Sequence, residues 1–404
     1  MDDTPKPRLA ISEGLRRILD YRKFTGPTRM LVLETQYFFD RSWIAAAKSL
    51  GWQTATVPSV MTGGLTREQI ATLFTAVGEF KPHFILTSNY AGMDDMGMFA
   101  RFFEDARIPY VSWFTDTPRM ILFRTVIHAS PFMVAATWEK AYIPHFKSLG
   151  FEHVLFLPHA TDPELFRGEP RSNHVRSVAF VGTSMIDQAE EAWEKLKLAP
   201  EMRDEVKRAF DQGRVTRESF AEGVTAILDP AILERADESA RRNAELCLVY
   251  EATRRMRCDL VRTLTPLGIE AHGDTHWKSI TKKAYGAVGY FTDLARFYRD
   301  TAVNLNTTSL QMRTSVNQRV FDCPAAGGFL LTDNQGDLSE FFEPNTESAT
   351  FDNLDELKDK TQYYLKHPDE RTRIVRAAQS RIAAHHTHAH RLQMLEAYLK
   401  ERYA

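Results

Sequence analysis

The chain has 404 residues, of which 51 are basic and 53 acidic, so its net charge is -2 at neutral pH. A nearly neutral chain lacks the basic surface expected of a nucleic-acid-binding protein, and no segment approaches the ~20 consecutive apolar residues of a membrane span. The length favours two domains of roughly 100–200 residues each. The start of the chain lacks the apolar segment of a secretory signal, and the three scattered cysteines indicate no disulfide framework, so we expect a cytoplasmic protein.

The first part of the chain alternates strand and helix patterns. We expect a helical extension over residues 1–28, followed by a Rossmann-like domain over 29–165. Short aliphatic runs at 29–35, 53–59, 83–89 and 108–116 predict strands, and amphipathic segments between them predict helices. Several of these strands end in small or polar residues. Such alternation is typical of a doubly wound parallel sheet, whose ligands bind at the carboxyl ends of the strands.

A polar connector separates this pattern from a second one. The strand SVAFVGTS follows it, and we expect a second Rossmann-like domain over 174–370. A charged, almost continuously helical stretch, 188–264, predicts an insertion that is either a docking surface or an inert embellishment. The strand pattern resumes with IEAHGD, VGYFTD, AVNLNTT, GGFLLTD and ESATFD. The last residues, 371–404, predict helices that pack back toward the N-terminal domain. The predicted fold class is therefore α/β.

The most informative stretch is SVNQRVFDCPAAGGFLLTD, which starts at Ser315. Its spacing predicts a helix that ends at Gly327 and Gly328 and leads into a strand. Arg319 and Asp322 are three residues apart and share a helix face. An arginine can neutralise a diphosphate and an aspartate can accept from ribose hydroxyls. The alternative is a surface ion pair followed by an ordinary glycine cap, which spacing alone favours.

Two further strand ends suggest where a phosphate could bind. Gly182 and Thr183 follow the first strand of the second domain, where a small loop can cradle phosphates with its N–H groups. Gly273 and Asp274, in EAHGDTHWK, follow another strand. Each signal is weak alone because neither is a GxGxxG or P-loop motif.

These segments resemble the CgeB-like glycosyltransferases, which are relatives of the family 4 glycosyltransferases with the GT-B fold of two Rossmann-like domains. The resemblance is carried by residues 289–391, including SVNQRVFDCPAAGGFLLTD and DLSEFFEPNTE, with support from WFTDTPR and LPHATDPELF. It implies a nucleotide-sugar donor in the C-terminal domain and an acceptor, such as a protein or a cell-surface glycan, against the N-terminal domain. It also implies that no metal or other cofactor is needed.

The resemblance assigns roles to single residues. Asp322 stands where family 4 relatives carry the ribose-binding glutamate, and Arg319, with Asn317 beside it, matches the basic position of the pattern. Tyr290 lies in the turn that holds the base, and Gly182 and Thr183 match the loop beneath the phosphates. The donor-binding set is Gly182, Thr183, Gly273, Asp274, Tyr290, Asn317, Arg319, Asp322, Gly327 and Gly328.

The chain also departs from the family 4 pattern. Thr314 stands where relatives carry a glutamate that touches the donor sugar, eight residues before the ribose glutamate. Ser184, Met185 and Asp187 stand where an arginine and a lysine are often found. The donor sugar and the stereochemistry therefore cannot be carried over from the family.

On the acceptor side, Asp116 is the candidate catalytic residue. It follows an apolar strand, and its carboxylate could act as the general base on an acceptor hydroxyl if the enzyme inverts. The alternative is an aspartate that caps the turn before Pro118. Asn89 and Asp94, after the neighbouring strand, are weaker acceptor-side candidates, and His159 and Asp162 are expected to be structural.

Two other groups invite a functional interpretation. The histidines His385, His386, His388 and His390 suggest a metal site, but no acidic partner completes it and a polar helix end is the better interpretation. Tyr37, Phe38 and Phe39 could stack on a sugar, but packing is favoured. The predicted activity is glycosyl transfer from a nucleotide sugar. The alternatives are a GT-B epimerase or phosphorylase, or a non-catalytic module that binds a nucleotide or a partner.

Overall fold

The computed structural model describes residues 13–35, 38–59, 66–94, 96–123, 125 and 127–404. The chain divides into two compact units, with residues 1–158 and 388–404 in unit 1 and residues 159–387 in unit 2. These divisions differ from the boundaries at 165/174 and 370/371 expected from composition. The C-terminal boundary shifts because only the last helix of the chain belongs to unit 1.

Unit 1 contains a parallel sheet of six strands in the order β2-β1-β3-β4-β5-β6. The strands are β1 (Arg29–Glu34), β2 (Gln53–Pro58), β3 (Phe84–Ser88), β4 (Tyr110–Phe114), β5 (Met133–Thr137) and β6 (His153–Phe156). The helices are α1 (Glu13–Leu19), α2 (Phe38–Ser49), α3 (Arg67–Phe80), α4 (Met98–Asp105), α5 (Pro118–Ile121) and α6 (Ile143–Ser148).

Unit 2 repeats this architecture with a second parallel sheet of six strands in the order β12-β11-β10-β7-β8-β9. The strands are β7 (Arg176–Val181), β8 (Glu270–His272), β9 (Ala284–Tyr285), β10 (Thr301–Asn306), β11 (Leu330–Asp333) and β12 (Ala349–Phe351). The helices are α7 (Ile186–Lys195), α8 (Pro200–Asp211), α9 (Arg217–Glu222), α10 (Pro230–Arg235), α11 (Glu238–Leu264), α12 (Leu294–Arg299), α13 (Arg319–Ala325), α14 (Leu338–Phe341), α15 (Leu354–Lys366) and α16 (Pro368–His385). The last helix of the chain, α17 (His388–Tyr403), returns to unit 1.

Two parallel α/β units confirm the predicted fold class, and most predicted strands lie where the pattern indicated. One strand is misplaced, because residues 288–293 contain no strand, residues 290–293 form a turn, and the strand at this edge is the two-residue β9 just before them. A two-residue strand is too short to show the alternation of apolar and polar residues that predicts a strand. The aromatic residues Tyr290 and Phe291 instead gave the neighbouring segment a strand-like pattern.

Each unit buries its own core. In unit 1 the rings of Trp43 and Trp113 stack at 5.0 Å, and α17 adds Leu395 and Leu399 to the same cluster. In unit 2 the end of α11 buries Val261 and Leu264 against β7 and its neighbours. Parallel strands need a crossover connection, and α11 covers the sheet between β7 and β8. The predicted insertion 188–264 therefore includes a helix that the sheet needs.

Among the described residues, every helix is too short or too polar to span a lipid bilayer.

Candidate donor site

The turn after β7 is held in place by backbone contacts with the end of β8. The Gly182 N–H donates to the His272 carbonyl at 2.8 Å, and the Trp277 indole N–H donates to the Gly182 carbonyl at 2.8 Å. A Cβ atom on Gly273 would lie 2.2 Å from the Gly182 oxygen. Glycine is therefore needed at position 273 so that the two strand ends can approach each other.

Asp274 stabilises the same turn. One of its carboxylate oxygens accepts a hydrogen bond from the Ser184 N–H at 2.5 Å, and the other accepts from the His276 N–H at 3.0 Å. Both oxygens thus bind backbone amides. This carboxylate fixes the shape of the loop, and a direct contact between Asp274 and a donor stays a prediction.

Arg319 begins α13 and reaches the turn after β7. Its Nη2 donates to the Val181 carbonyl at 2.7 Å, and its Nη1 donates to Asn306 Oδ1 at 2.6 Å. Asn317 Nδ2 donates to the same Asn306 oxygen at 3.0 Å. Asn306 is fully buried at the end of β10 and orients both side chains. The sequence did not single it out, because an asparagine in AVNLNTT reads as an ordinary polar strand end.

Arg257, on α11, also reaches this turn. Its Nη1 donates to the Thr183 carbonyl at 2.9 Å and to Thr183 Oγ1 at 3.1 Å. Burial, with the nearby charge of Arg319, lowers the pKa of Arg257 to about 10. Arg257 was missed because α11 carries many charges. A signal was nevertheless present, since Arg257 precedes the core residues Val261 and Leu264 by four and seven positions on the same helix face.

Two guanidinium groups therefore meet at the Gly182–Thr183 turn, at the carboxyl end of the central strand β7. Neither Arg257 nor Arg319 forms an ion pair with a carboxylate in the part of the chain that the structure describes, and the Nε atom of each is buried without a hydrogen-bond partner there. Because the Gly182 and Ser184 N–H groups are already bonded within the protein, it is the two guanidinium groups that would attract a doubly charged anion. This turn is suited to a diphosphate.

Asp322 has a different environment from Arg319. It is 2% exposed; its Oδ1 accepts from the Thr161 hydroxyl at 2.7 Å and its Oδ2 from the Tyr290 hydroxyl at 3.3 Å. Burial raises the pKa of Asp322 to about 8. Arg319 and Asp322 form no ion pair with each other, so the alternative of a surface pair at this spacing is wrong. A ribose contact of Asp322 stays a prediction.

The glycine pair after α13 is explained by backbone packing. Gly327 has a φ of 88°, and a Cβ atom there would lie 2.8 Å from the Gly168 carbonyl oxygen. A Cβ atom on Gly328 would lie 2.7 Å from the Tyr298 carbonyl oxygen. The glycine cap is thus present, and the proposed ligand approach at these two residues stays untested.

In unit 1, Asp116 and Asn89 meet beyond the carboxyl ends of β3 and β4. Asn89 Nδ2 donates to Asp116 Oδ2 at 3.1 Å, and Asn89 Oδ1 accepts from the Thr115 N–H at 2.8 Å. Asn89 has a φ of 49°, and its side chain is buried. The two residues form one unit in which the amide orients the carboxylate.

Asp94 caps a helix. Its carboxylate accepts hydrogen bonds from the N–H groups of Met96, Met98 and Phe99 at 2.8–2.9 Å, at the start of α4. Three backbone donors occupy this carboxylate, so Asp94 has a structural role as a helix cap. A contact between Asp94 and the sugar acceptor stays a prediction.

The remaining candidates have packing roles where they are described. Tyr37 lies outside the described residues, whereas Phe39 contacts the ring of His388 at 5.7 Å within unit 1. His386 Nε2 lies 3.1 Å from the Phe341 carbonyl in unit 2. The described residues contain no group of three or more histidine, cysteine or acidic side chains that could hold a metal ion. Asp162 accepts from the Glu164 N–H at 2.9 Å in a local turn.

Comparison with known protein families finds a match in the second half of the chain. Residues 252–397, which include Arg257, Asn306 and Arg319, match a family model described as glycosyl transferase-like. No curated protein sequence matches the chain significantly.

Solved structures resemble the fold over most of the chain. A glycosyltransferase from Rickettsia africae is 10% identical with a TM-score of 0.52, and the match covers 94% of this chain and 99% of that one. Anabaena HepE in complex with UDP-glucose is 11% identical with a TM-score of 0.50, covering 92% of this chain and 99% of that one. The same protein in complex with UDP and glucose is 11% identical with a TM-score of 0.50, covering 93% and 100%. The chain therefore has the two-domain α/β GT-B fold, and residues 252–397 resemble the glycosyl transferase-like family.

Proposed function

We propose that this protein is a glycosyltransferase of the CgeB-like type, which moves a hexose from a nucleotide sugar to an acceptor hydroxyl. The observation that carries the proposal is the pair of guanidinium groups, Arg257 and Arg319, beside the Gly182–Thr183 turn. Both lie in the segment that matches the glycosyl transferase-like model. A structural neighbour binds UDP-glucose, which makes UDP-sugars the first donors to test.

In this proposal the arginines act on the leaving group. When the bond between the sugar and the diphosphate breaks, negative charge builds up on the diphosphate oxygens. Two fixed guanidinium groups stabilise that charge without reorganising, which is the form of electrostatic stabilisation that lowers a barrier most. Because two cations already serve the diphosphate, the proposed reaction needs no metal ion.

The buried end of the donor site would hold the nucleoside. The Tyr290 hydroxyl donates to Asp322 Oδ2, on α13, at 3.3 Å. We assign the ribose to Asp322 and the base to the turn at 288–290. Opening of the contact between Asp322 and Tyr290 would then accompany donor binding.

Asp116 is the proposed general base. Asn89 orients the carboxylate through its side-chain amide, at 3.1 Å. A carboxylate held this way can accept the proton of an acceptor hydroxyl as that oxygen attacks the sugar. The acceptor is a protein, a glycan or a small molecule. This role assumes an inverting reaction, in which the acceptor oxygen displaces the diphosphate directly.

The test is turnover of a panel of radiolabelled nucleotide sugars, with wild-type protein, Arg257→Ala and the matched control Arg262→Ala. Arg262 is an exposed arginine on the same helix whose partner is Asp259. The proposal predicts release of nucleoside diphosphate by the wild type and the control, and a large loss in Arg257→Ala.

The alternatives give other products. An epimerase returns a changed nucleotide sugar, a phosphorylase requires added phosphate, and a binding module shows affinity without product. Any of these results would replace the proposed transferase activity.

A further inference from the structure

A second pocket in unit 2 has no role in the mechanism above. It has a volume of about 530 Å³ and lies between the helical stretch, the loop from β10 to α13, and the loop after β11. This volume is within the range of small-molecule sites, about 300–1,000 Å³. Helices α8, α9 and α11 form one wall of the pocket. The pocket therefore depends on the helical stretch 188–264, which the sequence predicts to be an insertion.

The pocket wall is rich in hydrogen-bond donors. Arg217, Arg255 and Arg313 line it, together with Gln335, whereas Glu218 is its only carboxylate among the described residues. Gln335 is 4% exposed, and its Nε2 has no hydrogen-bond partner in the described part of the chain. Arg217 Nε is also buried and unpartnered there. Buried donors without partners are costly and rare, so they point to a ligand that supplies acceptor atoms.

The charges of these arginines are only partly compensated. Arg217 pairs with Asp333 at 2.7 Å, but Arg255 shares Glu251 with Arg254, so two cations face one carboxylate. Arg313 is exposed and forms no ion pair with any described residue. With Arg254 counted, four arginines face the three carboxylates of Asp333, Glu251 and Glu218, so the cluster around the pocket has a small positive formal charge.

Contacts within the protein hold part of the wall in place. Asp333 accepts hydrogen bonds from the Thr308 N–H and hydroxyl, both at 2.9 Å, and thereby positions Arg217. The Arg255 guanidinium lies 4.3 Å from the centre of the Phe210 ring. Positioned cations beside the buried amide of Gln335 are suited to a phosphate or a carboxylate.

The pocket adjoins the proposed donor site through one loop. Thr314 lines it, and the same loop leads to Asn317 and Arg319. The donor diphosphate is already served by Arg319 and Arg257, so a second set of cations implies a second anion.

We propose that this pocket binds an anionic group, a phosphate or a carboxylate, carried by a sugar substrate. This inference rests on the proposed transferase function, which it deepens by naming the chemical class of that substrate. The donor sugar and the acceptor would use the same chemistry here, and the experiment addresses both.

The experiment is a calorimetric titration of glucose 6-phosphate, glucuronate and glucose into the full-length protein. The variants are Arg313→Ala, Arg255→Ala and the control Arg262→Ala. Loss of one charged hydrogen bond weakens binding by roughly tenfold or more. The proposal predicts that at least one anionic probe binds, that glucose does not, and that both pocket variants weaken binding tenfold while the control leaves it unchanged. Comparing the two anionic probes distinguishes phosphate from carboxylate.

Several results would overturn the inference. These are no binding of either anionic probe, equal losses in Arg262→Ala, or binding that disappears in Arg257→Ala but survives in Arg313→Ala, which would locate the probe at the donor turn. If a turnover assay shows that an acidic group is favoured neither on the donor sugar nor on the acceptor, the assignment to a sugar substrate fails. Failure of the proposed function is distinguishable, because the probes would then bind the pocket while no nucleotide sugar is turned over.

Discussion

The buried carboxyl group of Asp322 makes the stability of unit 2 depend on pH in a defined direction. Burial raises its pKa to about 8, while the hydrogen bonds from Thr161 and Tyr290 oppose this rise only in part. The ordinary value for an unfolded aspartate is about 3.9. Between these two values the folded state holds a proton that the unfolded state has lost. We therefore expect Asp322 to stabilise the folded state at low pH and to lose that contribution as the pH rises toward 8.

The size of the effect follows from the same pKa difference. Where only the folded state is protonated, the free energy of unfolding falls by about 1.4 kcal/mol per pH unit. From pH 6 to pH 8, with the last part flattened by titration of the folded state, Asp322 accounts for a loss of about 2 kcal/mol. An asparagine at this position does not titrate, and it keeps the shape of the protonated side chain.

The measurement is urea unfolding of wild type and Asp322→Asn at pH 6, 7 and 8, with Asp359→Asn as the control for an exposed aspartate of the same unit. Taking the difference between variants removes the titration of histidines, which all the proteins share. From pH 6 to pH 8, the free energy of unfolding of the wild type should fall by about 2 kcal/mol more than that of Asp322→Asn. It should fall by the same amount as that of the control. If the difference in free energy of unfolding between wild type and Asp322→Asn stays constant, or changes in favour of the wild type as the pH rises, Asp322 does not titrate with a raised pKa in the folded state.

Three further substitutions test other parts of the account. Gly273→Ala places a Cβ atom 2.2 Å from the Gly182 oxygen, so it should lower the free energy of unfolding by about 1–3 kcal/mol in urea unfolding. The control is Gly286→Ala, whose Cβ atom would have no neighbour within 4 Å. Leu395→Ala empties a fully buried position of unit 1 and should cost about 2–5 kcal/mol by the same measurement, against little for a change at an exposed position of α17. Asp116→Asn should lower kcat by about 10²–10⁴ in steady-state kinetics while leaving the KM for the donor unchanged; a normal kcat would remove Asp116 from catalysis.

The fold was predictable because each unit repeats one pattern. Aliphatic runs such as 29–35 alternate with amphipathic segments, and both sheets formed as parallel sheets of six strands. The pattern could not place the two-residue β9, since so short a strand has no measurable period. It also grouped α16 with α17, whereas α16 packs Ile374 and Val375 into the unit 2 core. Two adjacent amphipathic helices look alike in sequence, and only tertiary contacts show which core each one joins.

The candidate site was predictable where local sequence carries a signal. Gly182 and Thr183 follow a strand and Arg319 begins a helix that ends in a glycine pair, and the structure brings these residues together. Arg257 lies 74 residues from the Thr183 that it contacts, so no local motif links the two. Its position on the buried face of α11 was the available clue.

Two residues on the same helix face need not interact with each other. Arg319 and Asp322 are three apart on a helix, yet the arginine turns toward Asn306 and the aspartate toward Thr161. Helical spacing shows which side chains are neighbours, but the partners available in the surrounding structure decide which of them interact.

Binding of a diphosphate by Arg257 and Arg319 is best tested with ligands that differ by one phosphate. Calorimetry would compare a nucleoside, its monophosphate and its diphosphate, for each of the common bases, on wild type, Arg257→Ala and Arg262→Ala. Each charged hydrogen bond to a guanidinium is worth about 1.5–3 kcal/mol, or roughly 10- to 150-fold in affinity. We expect one diphosphate to bind at least tenfold more tightly than its monophosphate, and this advantage to disappear in Arg257→Ala but not in Arg262→Ala. Equal affinities for mono- and diphosphate, or no binding of any diphosphate, would show that the two arginines do not form a diphosphate site.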